Sequence, residues 1–205
     1  MKAVAVDTPH GPARAHLHLA PNPVAALVLG HGAGGGIHAP DLEAVTTAAL
    51  ALGVSVVLVE QPYRVAGRRA PAPARQLDAA WTAVVAHLRG AELAGLPLVV
   101  GGRSSGARVA CRTATAMDAV AALCLAFPLH PPGRVDDPAK SRLPELDAVH
   151  LPVLVVQGER DRFGIPPVGT GRDVVVVPGD HSLGADLRAV RTAVASWLPT
   201  VLPRA

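Results

Sequence analysis

The sequence predicts an α/β protein, a three-layer sandwich in which helices cover both faces of a mostly parallel sheet. Three observations lead there. Short apolar runs recur along the chain, segments of helical period separate them, and the runs are continuous rather than alternating, as in strands buried on both faces. Strand and helix in alternation, joined by right-handed crossovers, give a sheet between two helix layers. With 205 residues, the chain is expected to form one domain over 1–205 and to bury about 70% of its unfolded surface.

The strand candidates are Ala25–Leu29, Val54–Val59, Leu98–Gly102, Ala121–Phe127, Val153–Gln157 and Val174–Val177. A helix is expected from Pro40, with Asp41 and Glu43 in its first turn and Leu42, Val45, Ala49 and Leu52 as its stripe; Gly53 ends it. Leu77, Trp81, Val84 and Leu88 mark a second helix, and Leu183, Leu187, Val190, Val194 and Trp197 a third. A weaker one starts at Ser105. The first 23 residues read as a strand or hairpin turning at Pro9-His10-Gly11-Pro12, with His16 and His18 on one solvated face rather than on a metal. Ala66–Arg75 and Pro128–Pro138 are expected to be loops.

Composition narrows the function. Formal charge is +3, and Arg64, Arg68, Arg69 and Arg75 form the one basic cluster. Two Trp, one Tyr and two Phe give few stacking platforms, so nucleic-acid binding is not expected. Cys111 and Cys124 lack metal-ligand spacing and read as small buried apolar residues. The N-terminus has no signal-like apolar region, and Ala44–Val59 is too short to span a membrane, so a soluble cytoplasmic protein is expected.

Chemistry concentrates at strand ends. Leu98–Gly102 runs into Arg103-Ser104-Ser105-Gly106, completing the pentapeptide Gly102–Gly106, and then into a helix. A Gly-x-Ser-x-Gly turn in that setting lifts a serine hydroxyl above the sheet, with the glycines avoiding a clash with the nucleophile. Ser104 is therefore the candidate nucleophile; in the register of Ser105, Arg103 and Ala107 stand where the glycines should be. A hydroxyl needs a base, and the base an orienting acid, on later strand ends. Asp161 follows Ser104 by 57 positions (161 − 104), and His181 follows Asp161 by 20 (181 − 161). Glu159 is the rival acid, and Asp180 is expected to be a turn residue. Oxyanion donors are expected from the amides of Ser105 and of Ala33, with Gly34 as alternate, in the loop His31–Gly36. His31 is expected to brace that loop.

The same loop fits a dinucleotide fingerprint, Gly30-x-Gly32-x-x-Gly35, with Glu60 at the next strand end. Such a site needs its helix to begin among the glycines. Here Ile37-His38-Ala39-Pro40 intervenes.

The His31–Gly36 loop, Gln61-Pro62-Tyr63 with Gly67-Arg68-Arg69, the Gly101–Gly106 elbow, Phe127–Gly133, Asp161 and His181 together resemble the α/β-hydrolase superfamily over nearly the whole chain. The likeness is to a small, lid-poor branch related to dienelactone hydrolases and testis-expressed hydrolase-like proteins. The resemblance implies an α/β-hydrolase fold with a Ser-His-Asp triad and no cofactor or metal. Only 25 positions (128 to 152), rich in proline, separate Phe127 from Val153, so a minimal cap or none is expected over a shallow, open site.

The expected activity is acyl transfer from a small ester, thioester or activated amide to water, with a small-molecule acyl substrate and an esterase-like outcome. Arg103, His130 and Tyr63 are substrate-binding candidates; the Arg64–Arg75 loop is expected to be a solvated basic loop, with an acidic substrate as its alternative role. A structural ion pair, with Glu60 as partner, is the competing role for Arg103. The alternatives are a non-catalytic interaction module on the same scaffold, an acyltransferase using the same residues, and a dinucleotide binder. The sequence assigns no oligomeric state.

Overall fold

The computed structural model describes residues 2–134 and 137–203. Among these residues, eight strands form one sheet in the order β1-β2-β4-β3-β5-β6-β7-β8. They are β1 (Lys2–Val6), β2 (Ala13–His18), β3 (Ala25–Gly30), β4 (Val54–Glu60), β5 (Leu98–Arg103), β6 (Ala121–Leu125), β7 (Val153–Gly158) and β8 (Arg172–Val177). β2 pairs antiparallel with β1 and β4, and every pairing from β4 through β8 is parallel. The N-terminal hairpin turns at Gly11, whose φ of 101° requires glycine. It forms one edge of the sheet.

Among the described residues, six α-helices complete the layers: α1 (Pro40–Ala51), α2 (Pro62–Val65), α3 (Ala74–Arg89), α4 (Ser105–Thr113), α5 (Leu143–Asp147) and α6 (Leu187–Val201). Leu42 and Val45 of α1 share one core with Val190, Val194 and Trp197 of α6. Leu77, Trp81, Val84 and Leu88 of α3 share the opposite core with Val109 and Ala110 of α4. Every residue of β3 and β7 is buried, the condition that continuous apolar strands require.

Several expectations need correction. Val174–Val177 is an edge strand, not one covered on both faces: Val175 and Val176 are 37% and 50% exposed. Leu183 shares the apolar period of α6 but precedes the helix, at a φ of 54°; Asp186 caps α6 by accepting from the Ala189 amide at 2.9 Å. Arg75 lies in the first turn of α3 rather than in a loop. β6 stops at Leu125 because Ala126 adopts a φ of 48°. His16 is not on a solvated face. It is buried beside Glu60, 3.6 Å away, and burial lowers its pKa.

Residues 135 and 136 of the expected Pro128–Pro138 loop lie outside the described residues. The chain that follows, toward β7, is tied back to the body of the fold. Arg142 donates to Pro128 O at 3.1 Å, and Glu145 of α5 accepts from Arg108 Nε of α4 at 2.9 Å. Among the described residues, no helix is long and apolar enough to cross a membrane.

Candidate active site

The site is assembled at the C-terminal rim of the parallel strands. β5 ends in Arg103, α4 starts at Ser105, and Ser104 between them has φ 53° and ψ −109°. A non-glycine residue held there costs roughly 1–3 kcal/mol and persists only where the surroundings enforce it. The Ser104 amide donates to Leu125 O at 2.9 Å, fixing the turn against β6.

The two flanking glycines are needed for a reason the sequence did not disclose. A Cβ on Gly102 would lie 2.5 Å from Gly30 O and 2.7 Å from Gly106 C, and one on Gly106 would strike the Gly30 carbonyl. The conflict is with β3, across which α4 is laid, rather than with Ser104 itself.

Asp161 and His181 come from the loops after β7 and β8. These loops are bonded to each other through Glu159 N to Val177 O and Arg160 N to Gly179 O, both 2.9 Å. Gly158 lacks a Cβ where one would collide with the Asp180 carbonyl. His181 Nδ1 lies 2.7 Å from Asp161 Oδ2, and its Nε2 lies 3.0 Å from Ser104 Oγ. An ionised carboxylate only accepts hydrogen bonds, so Nδ1 carries the proton and Nε2 is left to accept from the hydroxyl. The Asp161 carboxylate is fully buried, whereas the His181 side chain is 18% exposed. Phe163 meets the imidazole edge-on, with centroids 4.4 Å apart. Glu159, the rival acid, is exposed and pairs with Arg160. Asp180 accepts from Ser182 in a local turn, and those hydrogen bonds lower its pKa.

The glycine loop passes close to Ser104: a Cβ on Gly32 would sit 3.6 Å from Ser104 Cβ. Ala33 and Gly34 follow in a turn closed by Gly35 N to Gly32 O at 3.3 Å. Ser105 is the first residue of α4, so its amide belongs to the unpaired set at a helix N-terminus. Buried His31 braces the loop. The Gln61 amide donates to its Nε2 at 3.1 Å, which leaves Nδ1 to donate to Gly32 O at 2.8 Å. That pattern needs the neutral ring, and burial lowers its pKa accordingly. α1 begins at Pro40, beyond the glycines, so the helix that follows the loop does not start among them.

The three substrate-binding candidates are placed differently. Tyr63 is buried, donates its hydroxyl to Ala33 O at 2.8 Å, and has its pKa pushed up to about 12 by burial. It supports the glycine loop from behind. Arg103 forms an ion pair with Asp41, Nε to Oδ2 at 2.9 Å, and donates from Nη2 to His181 O at 3.0 Å. Glu60 is not its partner: it faces the other way, 3.6 Å from both Arg14 and His16, in the register that pairs Arg14 with Glu60. His130 donates its amide to Phe163 O at 2.9 Å, and its Nδ1 has no partner among the described residues. Arg68, Arg69 and Arg75 are exposed.

Two residues for which sequence alone suggested no part in the site complete the arrangement. Fully buried Gln157, at the end of β7, donates Nε2 to Asp161 Oδ2 at 2.7 Å, Gly164 O at 3.0 Å and Phe127 O at 3.1 Å. Its signal was a lone amide closing an apolar strand. Buried Asp41 had looked like an ordinary first-turn acid. Burial raises its pKa, and Arg103 pulls it back.

A strained serine on a strand-to-helix turn, with an imidazole and a buried carboxylate aligned behind it, on a mostly parallel sheet, defines a class, and comparison with known proteins bears on it directly. The chain belongs to the α/β hydrolase domain family, which matches residues 23–194. No curated protein sequence matches. Among solved structures, the fold is similar to that of a serine hydrolase without a lid from Xanthomonas campestris (TM-score 0.76, 23% identity, 100% of this chain and 96% of that one). It is also similar to Est1E from Butyrivibrio proteoclasticus (TM-score 0.80, 16% identity, 100% of both chains). A dienelactone hydrolase from Anabaena variabilis matches with TM-score 0.75 and 16% identity over 98% of each chain.

Proposed function

We propose that the protein is a serine hydrolase that cleaves small esters, thioesters or activated amides through an acyl-enzyme intermediate. The observation that supports this best is the unbroken hydrogen-bond chain from Asp161 Oδ2 through His181 to Ser104 Oγ, at 2.7 and 3.0 Å. Ser104 attacks the substrate carbonyl while His181 Nε2 takes its proton. The imidazolium gives that proton to the leaving group, and the steps repeat with water as nucleophile. Asp161 holds the ring in the required tautomer and stabilises its charged form. The amides of Ser105 and Ala33, or of Gly34, receive the oxyanion; one such donor is worth about 100- to 1,000-fold in rate.

Between β6 and β7, α5 is tied to α4 through Glu145 and Arg108, and only 25 positions (128 to 152) are available for a cap, which favours small, accessible substrates. An acyltransferase would use the same residues, with an alcohol replacing water in the second half-reaction.

A panel of p-nitrophenyl esters of increasing chain length tests the proposal. Turnover is expected for wild type, strongest with short chains, and is expected to fall by orders of magnitude in Ser104→Ala and His181→Ala. No turnover with any ester, or turnover unaffected by Ser104→Ala, would favour a non-catalytic module on this scaffold. Added alcohols separate transferase from hydrolase by the ratio of ester to acid formed.

A further inference from the structure

We propose that Arg103 and Asp41 are a positioning pair that holds His181 in register with Ser104. The inference rests on reading His181 as the general base and adds residues that act through it.

The imidazole is tied to Asp161 and to Ser104, but both bonds lie on the ring. The last regular pairing of β8 is at Val177, four positions before His181. Among the described residues, the His181 carbonyl accepts from no backbone amide; its donor is Arg103 Nη2, at 3.0 Å. Arg103 therefore supplies a hold on the main chain of the base itself.

The guanidinium is suited to this because it is rigid and planar, so fixing one nitrogen fixes the direction of the others. Its Nε forms an ion pair with Asp41 Oδ2 at 2.9 Å, and that carboxylate is fully buried. Asp41 Oδ1 accepts from the Leu42 amide at 3.0 Å, anchoring the acid to the start of α1. The third nitrogen, Nη1, lies against Gly32, where an added Cβ would come within 2.9 Å of it. One side chain, adjacent to the nucleophile in sequence, thus touches α1, the glycine loop and the backbone of the base. With its side chain only 17% exposed, it has little left to offer a substrate.

Asp41 also has an electrostatic task. An unpaired guanidinium on the backbone of His181 would oppose the imidazolium formed at each proton transfer. Pairing with a buried carboxylate keeps the hydrogen bond while cancelling the charge.

The test compares wild type with Arg103→Met, Arg103→Lys and Asp41→Asn. It measures kcat and KM on a short-chain p-nitrophenyl ester, the rate of fluorophosphonate labelling, and the low-field NMR signal of the His181 Nδ1 proton. Arg103→Met is expected to lower kcat and labelling rate by about 10- to 100-fold, the scale of a sub-ångström to 1 Å misplacement, with KM unchanged. Its low-field proton signal should broaden or vanish. Arg103→Lys should recover part of the loss, because an ammonium can serve the carboxylate or the carbonyl but not both in one plane. A change confined to KM would make Arg103 a substrate contact and overturn the proposal, as would unchanged kcat. So would a loss that tracks melting temperature while the proton signal stays as in wild type. If Arg103→Met does not fold, Arg103→Lys and Asp41→Asn decide: kcat-only losses support the pair, and wild-type kcat in both rejects it. If wild type neither labels nor turns over ester, the proton signal still reports. Its presence in wild type and loss in the variants would uphold the positioning pair while the hydrolase reading fails.

Discussion

Replacing Gly106 by alanine adds one methyl group where the structure has no room for it. The added Cβ would strike the carbonyl of Gly30 and lie 2.9 Å from His31 O. These are backbone atoms, not the ends of flexible side chains. Gly30 cannot withdraw, because β3 is central in the sheet and pairs Gly30 with Val59 on one side and Gly102 on the other. Relief requires α4 to lift from the sheet, and α4 buries Ala107, Val109, Ala110 and Cys111. Overpacking a core costs typically 1–3 kcal/mol, and an obstacle made of backbone places Gly106→Ala at about 3 kcal/mol. For a chain of this size that is a fall of about 6–12 °C in melting temperature. Gly36→Ala is the control, since no atom lies within 4 Å of its added Cβ; it should stay within about 0.5 kcal/mol of wild type. Urea unfolding followed by the fluorescence of buried Trp81 and Trp197 reads both. A Gly106→Ala protein as stable as the Gly36→Ala control would refute the claim that the elbow glycines answer to β3.

Gln157→Leu leaves the carbonyls of Phe127 and Gly164 without their donor and Asp161 with one support fewer; stability should fall by about 2 kcal/mol or more, and kcat with it. An unchanged urea midpoint would contradict this. Burial holds the pKa of His31 below its ordinary 6.5, so its stabilising contribution is complete above pH 6.5 and is lost as pH falls toward the lowered value. Wild type should lose stability as pH falls below 6.5, and His31→Gln should flatten that slope; an equal slope in both would assign the loss elsewhere. Cys111 and Cys124 are buried, with sulfurs 3.4 Å apart and the Cys124 thiol held well above its ordinary pKa. A thiol reagent should therefore modify them only after urea is added, and rapid reaction of the native protein would show that α4 opens.

The sequence made the order of strands and helices legible because parallel strands covered on both faces leave unbroken apolar runs, as Ala25–Leu29 and Val153–Gln157 do. The same signal misled at Val174–Val177. A valine run reports extended backbone but not the number of neighbours, and β8 has a neighbour on one side only. Leu183 was misplaced because its distance from Leu187 matches one helical turn, while the capping acid Asp186 lies between them. At the site, Ser104, Asp161 and His181 were legible because each follows a strand, where a parallel sheet gathers its loops. The supports were not. Asp41 and Arg103 are 62 positions apart (103 − 41), and nothing local to either names the other. Glu60 was the nearer guess by strand end, yet its register with Arg14 turns it toward β2. The glycine spacing was read correctly as necessary but for the wrong collision, since the path of α4 over β3 is a tertiary fact.

The central claim is that Ser104 is made nucleophilic by His181 and Asp161. Mass spectrometry of the protein after treatment with a fluorophosphonate tests it most directly. One covalent adduct is expected on the peptide containing Ser104, assigned to Ser104 rather than Ser105 and absent from both Ser104→Ala and His181→Ala. No adduct on the wild-type protein, or the same adduct on Ser104→Ala, would contradict it.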